Sequence, residues 1–400
     1  MLGVGLFSKF IYTHAVSAPL IALALGAVLS PLASLSLSTW GNPFTILEDA
    51  SRLTLAIGLM GSALNLPRLD VRKRWRALAV LLGLVMVLMW AASTFLVILI
   101  LRLPILVAAL IGAAITSTDP ILARAVVEGE LAVENIPHRI RYTLIEESGL
   151  NDGLGLPFVQ LPALLLALPP AAALREWTLQ VALLAVVGGT ALGIAIGWGA
   201  GAALNWSDDH DLIERSFFFA YPVALALFTV AVVRLRGADD VLGVFVAGLT
   251  FVAVIRRRLR VKGRERAEIQ ETIDHFFTLP VFLFLGLALP WRDWLALGWR
   301  APAIVAAVLL LRRIPAVLVV FPLLKTQIYD VHEALFYGWF GPIGVSAIFY
   351  AALAVRETGL QEVWTVVSLI VASSVVAHGI SGSPFSLRLG EHEERTTGRQ

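Results

Sequence analysis

Ile115-Thr116-Ser117-Thr118-Asp119-Pro120, read ITSTDP, stands in the middle of an apolar run that extends from residue 104 to 127. Proline removes a backbone donor and crowds the turn before it, so a helix passing through this point is interrupted. A second interruption, Gly338-Trp339-Phe340-Gly341-Pro342-Ile343-Gly344, lies in the middle of the run 332–355. If both runs cross a bilayer, their freed backbone groups are stable only where protein or a wet cavity surrounds them. Two broken spans, each with polar groups at membrane depth, are therefore the feature on which the fold turns.

The rest of the chain supplies the bilayer. Of 400 residues, 58% are hydrophobic and 15% charged, with a mean hydropathy of +0.82. A soluble domain carries roughly 25% charged residues. Apolar runs recur at about 15–36, 50–66, 77–101, 104–127, 140–168, 177–204, 212–233, 240–255, 272–290, 300–323, 332–355 and 361–381. Most approach the roughly 20 residues that a spanning helix needs. Residues 1–12 form an apolar stub too short to cross, and MLGVGLFSKF lacks the features of a cleavable signal. With no Cys, disulfides and thiolate metal sites are excluded.

Two dense basic clusters, PRLDVRKRWR at 67–76 and RRRLRVKGRER at 256–266, fall on the same side of such a bundle. The positive-inside rule makes that side cytoplasmic, together with the polar tail 387–400. If the stub counts as the first span, the broken runs are numbers five and twelve, seven apart. A matched pair of this kind points to an inverted-repeat transporter. The expected fold is thus an all-α membrane protein of about 12 transmembrane helices plus a truncated N-terminal one. Two inverted six-helix repeats with crossing discontinuous helices occupy 1–386, with 177–204 as the linker helix.

Ionisable residues inside the runs narrow the chemistry. In Ile145-Glu146-Glu147-Ser148-Gly149-Leu150-Asn151-Asp152-Gly153, Glu147 and Asn151 share one helix face and Ser148 and Asp152 another. A carboxylate at that depth is costly and usually faces an ion or proton path. Asp152 is expected to be the carrier, with a purely structural salt bridge as the bland alternative. Glu147 is expected to be structural, paired with one of the two arginines in LLLRRIPAV, Arg312 or Arg313, because guanidinium keeps its proton. Asp119 is expected to offset the positive N-terminus of a half-helix rather than to ligate an ion. No HExxH motif is present and the seven His are scattered, so no enzyme is expected. Neither a cofactor nor a nucleic-acid partner is expected.

With these residues in view, the chain resembles the monovalent cation–proton antiporters, the sodium/proton exchanger family, over essentially its whole length. ITSTDPILARAVV resembles the family's Asp-Pro crossing helix, EESGLNDG its Glu-x-x-x-Asn-Asp signature, RIPAV its Arg-x-x-Ala-Val, and YGWFGPIGVSAIFY its second crossing helix. The form ESGxNDG with WFGPIGV is most similar to the branch that includes fungal plasma-membrane sodium and potassium extruders. The resemblance implies a homodimer in the cell membrane, with Asp152 binding Na⁺ or Li⁺ and the proton in turn. It implies that Ser148 and Thr118 help coordinate beside Asn151, and that Glu147 pairs with Arg313 rather than Arg312. Asn151 adds a dipole without a titratable charge, so the expected activity is electroneutral one-to-one sodium (or lithium or potassium)/proton antiport. A passive monovalent cation channel is the rival expectation. Three positions depart from the family's pattern: the short N-terminus, Asn65 where relatives often carry Glu, and Ile343 where many carry Arg.

Overall fold

The computed structural model describes residues 18–32, 36–66, 70–119, 122, 134–214, 217–255 and 264–397, and among them every regular element is helical. The stub 1–12, residues 67–69 of the first basic cluster and 256–263 of the second, and Pro120 with nearly all of the segment after it to residue 133 lie outside the described residues.

The helices relevant to the site are α1 (Ala18–Leu32), α2 (Pro43–Asn65), α3 (Asp70–Leu101, with a widened turn at Leu81–Val85) and α4 (Ile105–Ala114). They continue with α5 (His138–Ala167), α6 (Pro170–Asp209), α7 (Phe217–Leu235), α8 (Asp240–Val254) and α9 (Arg264–Leu287). The last group is α10 (Arg300–Leu311), α11 (Ile314–Val320), α12 (Val331–Trp339), α13 (Val345–Thr358) and α14 (Gln361–Thr397). Among the described residues, five stretches are long and apolar enough to cross a membrane: Arg74–Leu101, His138–Ala167, Pro170–Asp209, Arg300–Leu323 and Gln361–Arg395. Several apolar helices are shorter, α4 and α8 among them. For α4 the shortness is the break itself.

Local chemistry sets the helix ends. Asn42 caps α2, its side chain accepting from Phe44 N–H at 2.9 Å, and Pro43 follows at the first helical position. Asp239 and Asp330 cap α8 and α12 in the same way. Gly359, at φ +74°, closes α13 in the left-handed conformation that a Cβ disfavours. One break was not anticipated. The run 300–323 reads as a single span, yet α10 stops at Leu311 and α11 restarts at Ile314. Pro315 is the cause, since its ring clashes with the carbonyl four residues back, that of Leu311. The junction places Arg312 and Arg313 at a discontinuity instead of inside a regular helix.

Packing is close where small residues meet. A Cβ on Gly193 or Gly197 of α6 would lie 2.5 Å or 2.2 Å from the carbonyl oxygens of Gly243 and Ala247 of α8. Such contacts let two backbones touch, which is how helices associate without a hydrophobic driving force. In the same way α1 crosses α9 at Gly26 and Gly286. Helix α4 packs against α3, α5 and α13, and α12 against α11 and α14, and Tyr337, Phe340, Ile348 and Tyr350 are almost completely buried. Helix α14 continues to Thr397, so the polar tail from residue 387 begins as helix.

Candidate functional site

The two interruptions meet. Asp119 N–H donates to the Pro342 carbonyl at 2.8 Å, so the unwound segment after α4 is bonded directly to the one between α12 and α13. The Asp119 carboxylate accepts from Leu122 N–H at 3.2 Å and from Val345 N–H, the first residue of α13. A helix N-terminus carries roughly half a positive charge, and here an acid from the other broken segment sits on it. Gly344 makes room for that contact: a Cβ there would lie 2.1 Å from an Asp119 oxygen.

The opposite dipole ends are met by Arg312. Its guanidinium donates to the carbonyls of Ile115 and Ser117, past the end of α4, and to Gly341 O at 2.5 Å, past the end of α12. Two helix C-termini of roughly half a negative charge each approximately balance one guanidinium. An arginine at this depth was expected to require a carboxylate; carbonyls do instead. His378 and Ser374 of α14 complete the support of the second break, His378 Nε2 lying 3.0 Å from Trp339 O and Ser374 Oγ accepting from Ile343 N–H at 2.8 Å.

Helix α5 brings up three carboxylates, and they have different surroundings. Glu146 is bidentate with Arg74 of α3, one of its contacts at 2.7 Å. Glu147 is bidentate with Arg313, at 2.9 and 2.6 Å, and also accepts from Tyr337 Oη at 3.0 Å and Asn151 Nδ2 at 3.1 Å. Asp152 is 0% exposed, and neither of its carboxylate oxygens has a hydrogen-bonding partner in the protein. The Ser346 side chain of α13 faces it, and the Ser346 and Ser117 hydroxyls are likewise unpartnered. Tyr350 Oη donates to the Asp152 backbone carbonyl from the same side.

Between these acids runs a polar stitch. Asn151 Oδ1 accepts from Thr118 N–H at 3.0 Å, and its Nδ2 donates to Thr118 Oγ1 at 2.7 Å. Thr118 Oγ1 and Ser148 Oγ are 3.0 Å apart. Asn151, Thr118 and Ser148 thus hold the unwound chain against α5, next to Asp152. A buried carboxylate without donors is unfavourable by several kcal/mol unless a proton or cation neutralises it. A buried carboxylate faced by a free hydroxyl offers oxygen ligands that suit a hard cation.

A model of the sodium/hydrogen exchanger transmembrane family matches residues 1–388. The chain belongs to the sodium/hydrogen exchanger family. A Schizosaccharomyces pombe protein named a probable Na⁺/H⁺ antiporter is 33% identical over 397 residues, covering 92% of this chain and 52% of its own. A second Na⁺/H⁺ antiporter of that yeast is 32% identical, covering 86% and 78%. Na⁺/H⁺ antiporter 2 of Zygosaccharomyces rouxii is 33% identical, covering 86% and 46%. The chain therefore spans about half the length of the first and third of these. A sodium proton antiporter of Methanocaldococcus jannaschii superposes with a TM-score of 0.73, covering 97% of this chain and 96% of that one. At 18% identity that likeness is one of fold.

Within the exchanger fold sequence reasoning missed Ser346, Tyr350, Arg74 and the support that His378 gives, and it weighed Arg312 only as a partner for Glu147. Pro315 signalled the break that positions Arg312. Ser346 stands inside the quoted stretch GVSAIFY, but one hydroxyl in an apolar helix is a weak signal. Nothing local connects Arg74 with Glu146, 72 residues away.

Proposed function

We propose that this exchanger-family protein is a sodium (or lithium or potassium)/proton antiporter. Exchange is electroneutral and one-to-one, and proceeds by alternating access with cation and proton competing for Asp152. The observation that carries the reading is the Asp152 carboxylate, fully buried where two broken segments cross and without a hydrogen bond from the protein. The names of the yeast relatives point the same way.

When the carboxylate is ionised, Asp152 with the Ser148, Thr118 and Ser346 hydroxyls offers oxygens to a dehydrated alkali cation, and Asn151 holds Thr118 in place. Protonation removes the charge and releases the ion. If only the neutralised site changes sides at low cost, the two fluxes are coupled. Asp119 and Arg312 act as positioning residues, balancing the positive and negative half-helix ends so that the site itself carries one titratable acid. Glu147 and Arg313 form a neutral structural pair beside it. A site closed to solvent, as this one is, suits exchange rather than a continuous channel.

The inverted-repeat architecture of about twelve spans belongs to the same proposal. In its numbering α1, α2, α8 and α9 are spans two, three, nine and ten. Span two packs on span ten and span three on span nine, the reciprocal pairing that an inverted repeat generates. A homodimer in the plasma membrane, with a cytoplasmic C-terminus, completes it.

The test is dye-monitored proton movement in everted membrane vesicles upon addition of NaCl, LiCl or KCl. The wild type is expected to dissipate a preformed proton gradient, and Asp152→Asn is expected to do nothing above background. Cation-driven proton movement that persists in Asp152→Asn would refute the assignment. Cation flux without proton counterflux would favour a channel.

A further inference from the structure

At the end of the bundle where α5 and α12 begin, away from the crossing, three side chains converge. Asp330 caps α12, its Oδ1 accepting from Glu333 N–H at 2.8 Å. That bond leaves Oδ2 directed at His392 Nε2 of α14, 2.8 Å away. His332, in the first turn of α12, stacks on the His392 ring with centroids 4.2 Å apart and 28° between planes. One ligand atom from each of Asp330, His332 and His392 lies within 4.8 Å of the others.

We propose that Asp330, His332 and His392 form a binding site for a divalent transition-metal ion of the Zn²⁺ kind, which clips the last helix to the start of the second broken one. Two imidazoles and a carboxylate are the N₂O donor set that Zn²⁺ takes, leaving a fourth position to water. At metal–ligand distances of about 2.0–2.2 Å, tetrahedral donor atoms stand roughly 3.4 Å apart. The Asp330–His392 pair is already inside that span, and the His332 ligand atom lies within 4.8 Å of both. Mg²⁺ and Ca²⁺ prefer all-oxygen shells and are poorly served by two imidazoles.

The surroundings are those of a prepared site. Asp330 is oriented by the Glu333 amide. Glu333 is in turn held by Arg139 of α5, with one contact at 2.7 Å, and accepts from Tyr329 N–H at 2.6 Å. Supporting groups of this sort fix ligand direction and contribute to affinity. His332 is exposed, so an ion has a way in. His392 is 60 positions from His332 in sequence and on another helix, so an ion bound by all three joins elements that the chain does not connect locally. None of the three residues belongs to the proposed transport machinery.

The experiment is calorimetric titration of ZnCl₂ into the purified, tag-free full chain in detergent, with MgCl₂ as a control. It is repeated for His332→Ala, His392→Ala and His392→Gln, each first checked for monodisperse elution. The wild type is expected to bind one Zn²⁺ per chain and to unfold at a higher temperature with Zn²⁺ than without. Each variant is expected to lose more than the roughly 10–100-fold that loss of a supporting group costs. His392→Gln retains a donor towards Asp330, so lost binding in that variant separates ligation from folding. The proposal is overturned if the wild type shows no one-to-one Zn²⁺ binding, if Mg²⁺ binds as well, or if either His position is changed without loss of affinity.

Discussion

Glu147 and Asp152 lie five residues apart on one helix, buried to a similar degree, and their environments are opposite. Glu147 accepts from Arg313 twice, from Tyr337 and from Asn151. Asp152 accepts from nothing in the protein. An acid surrounded by donors has its charge compensated permanently, so it binds helices together and has no reason to exchange partners. The acid that has none must take its compensation from outside the chain. On the proposal above, it is this lack of a permanent partner, more than burial itself, that distinguishes Asp152 from Glu147 as the exchanging acid.

The sharpest break of that comparison is at Asp152. Asp152→Asn removes an uncompensated buried charge and strands no partner, so it is expected to abolish exchange. The unfolding temperature in detergent should remain at or above that of the wild type. A large fall in stability would mean that Asp152 has a structural partner after all, and the contrast with Glu147 would fail.

The converse is expected at the pair. Glu147→Gln or Arg313→Ala leaves one buried charge alone, which costs about 3–5 kcal/mol. Chemical unfolding in detergent should show this loss in each single variant. The double variant should lose clearly less than the sum, because removing both charges strands neither. Additive losses would show that the pair is not the unit.

Arg312 tests whether carbonyl dipoles replace a carboxylate. Arg312→Gln should lose about 2–3 kcal/mol, the scale of a hydrogen bond to a charged group plus the uncovered helix ends. Arg312→Lys should recover part of this, since a point charge cannot span both α4 and α12 as a fork does. Coupling with Glu147→Gln, measured by the same unfolding cycle, should be smaller than that of Arg313. Equal coupling would make the two arginines interchangeable.

Arg312 also marks the limit of what the sequence discloses. ITSTDP and GWFGPIG were readable as breaks because Pro and Gly have backbone consequences that no neighbour can hide. Asp152 was readable because an acid in an apolar run is expensive wherever it points. The partner of Arg312 is main chain, which has no letter of its own, so the sequence offers only a choice between two adjacent arginines. Asp119 was expected to balance a half-helix, yet the N-terminus it caps belongs to the other broken span, more than 200 residues away. The same distance conceals the buried link among α2, α8 and α13. There Arg52 contacts Asp240 at 2.6 Å and Glu48 at 2.7 Å, and Arg356 joins Glu48. Only its Glu48–Arg52 step, four residues apart on α2, had a local signature.

The smallest expected effect sharpens the comparison most, because it separates two hydroxyls beside one acid. Thr118 Oγ1 is committed to Asn151 and Ser148, whereas Ser346 Oγ has no partner and faces Asp152. Thr118→Val should therefore destabilise the fold by about 1–3 kcal/mol, since it leaves Asn151 Nδ2 and Ser148 Oγ each short of a bond. Ser346→Ala removes a group that bonds to nothing in the protein, so its unfolding free energy should stay within about 0.5 kcal/mol of wild type. What it should lose is one oxygen for the cation. A single ligand contact of about 1–1.4 kcal/mol corresponds to a five- to tenfold rise in the cation concentration giving half-maximal exchange. Vesicle titrations with Na⁺ at fixed pH would measure that shift, and the maximal rate at saturating cation should change little. An unchanged half-saturation would remove Ser346 from the ligand shell and leave the cation to draw its oxygens besides those of Asp152 from Ser148, Thr118 and water.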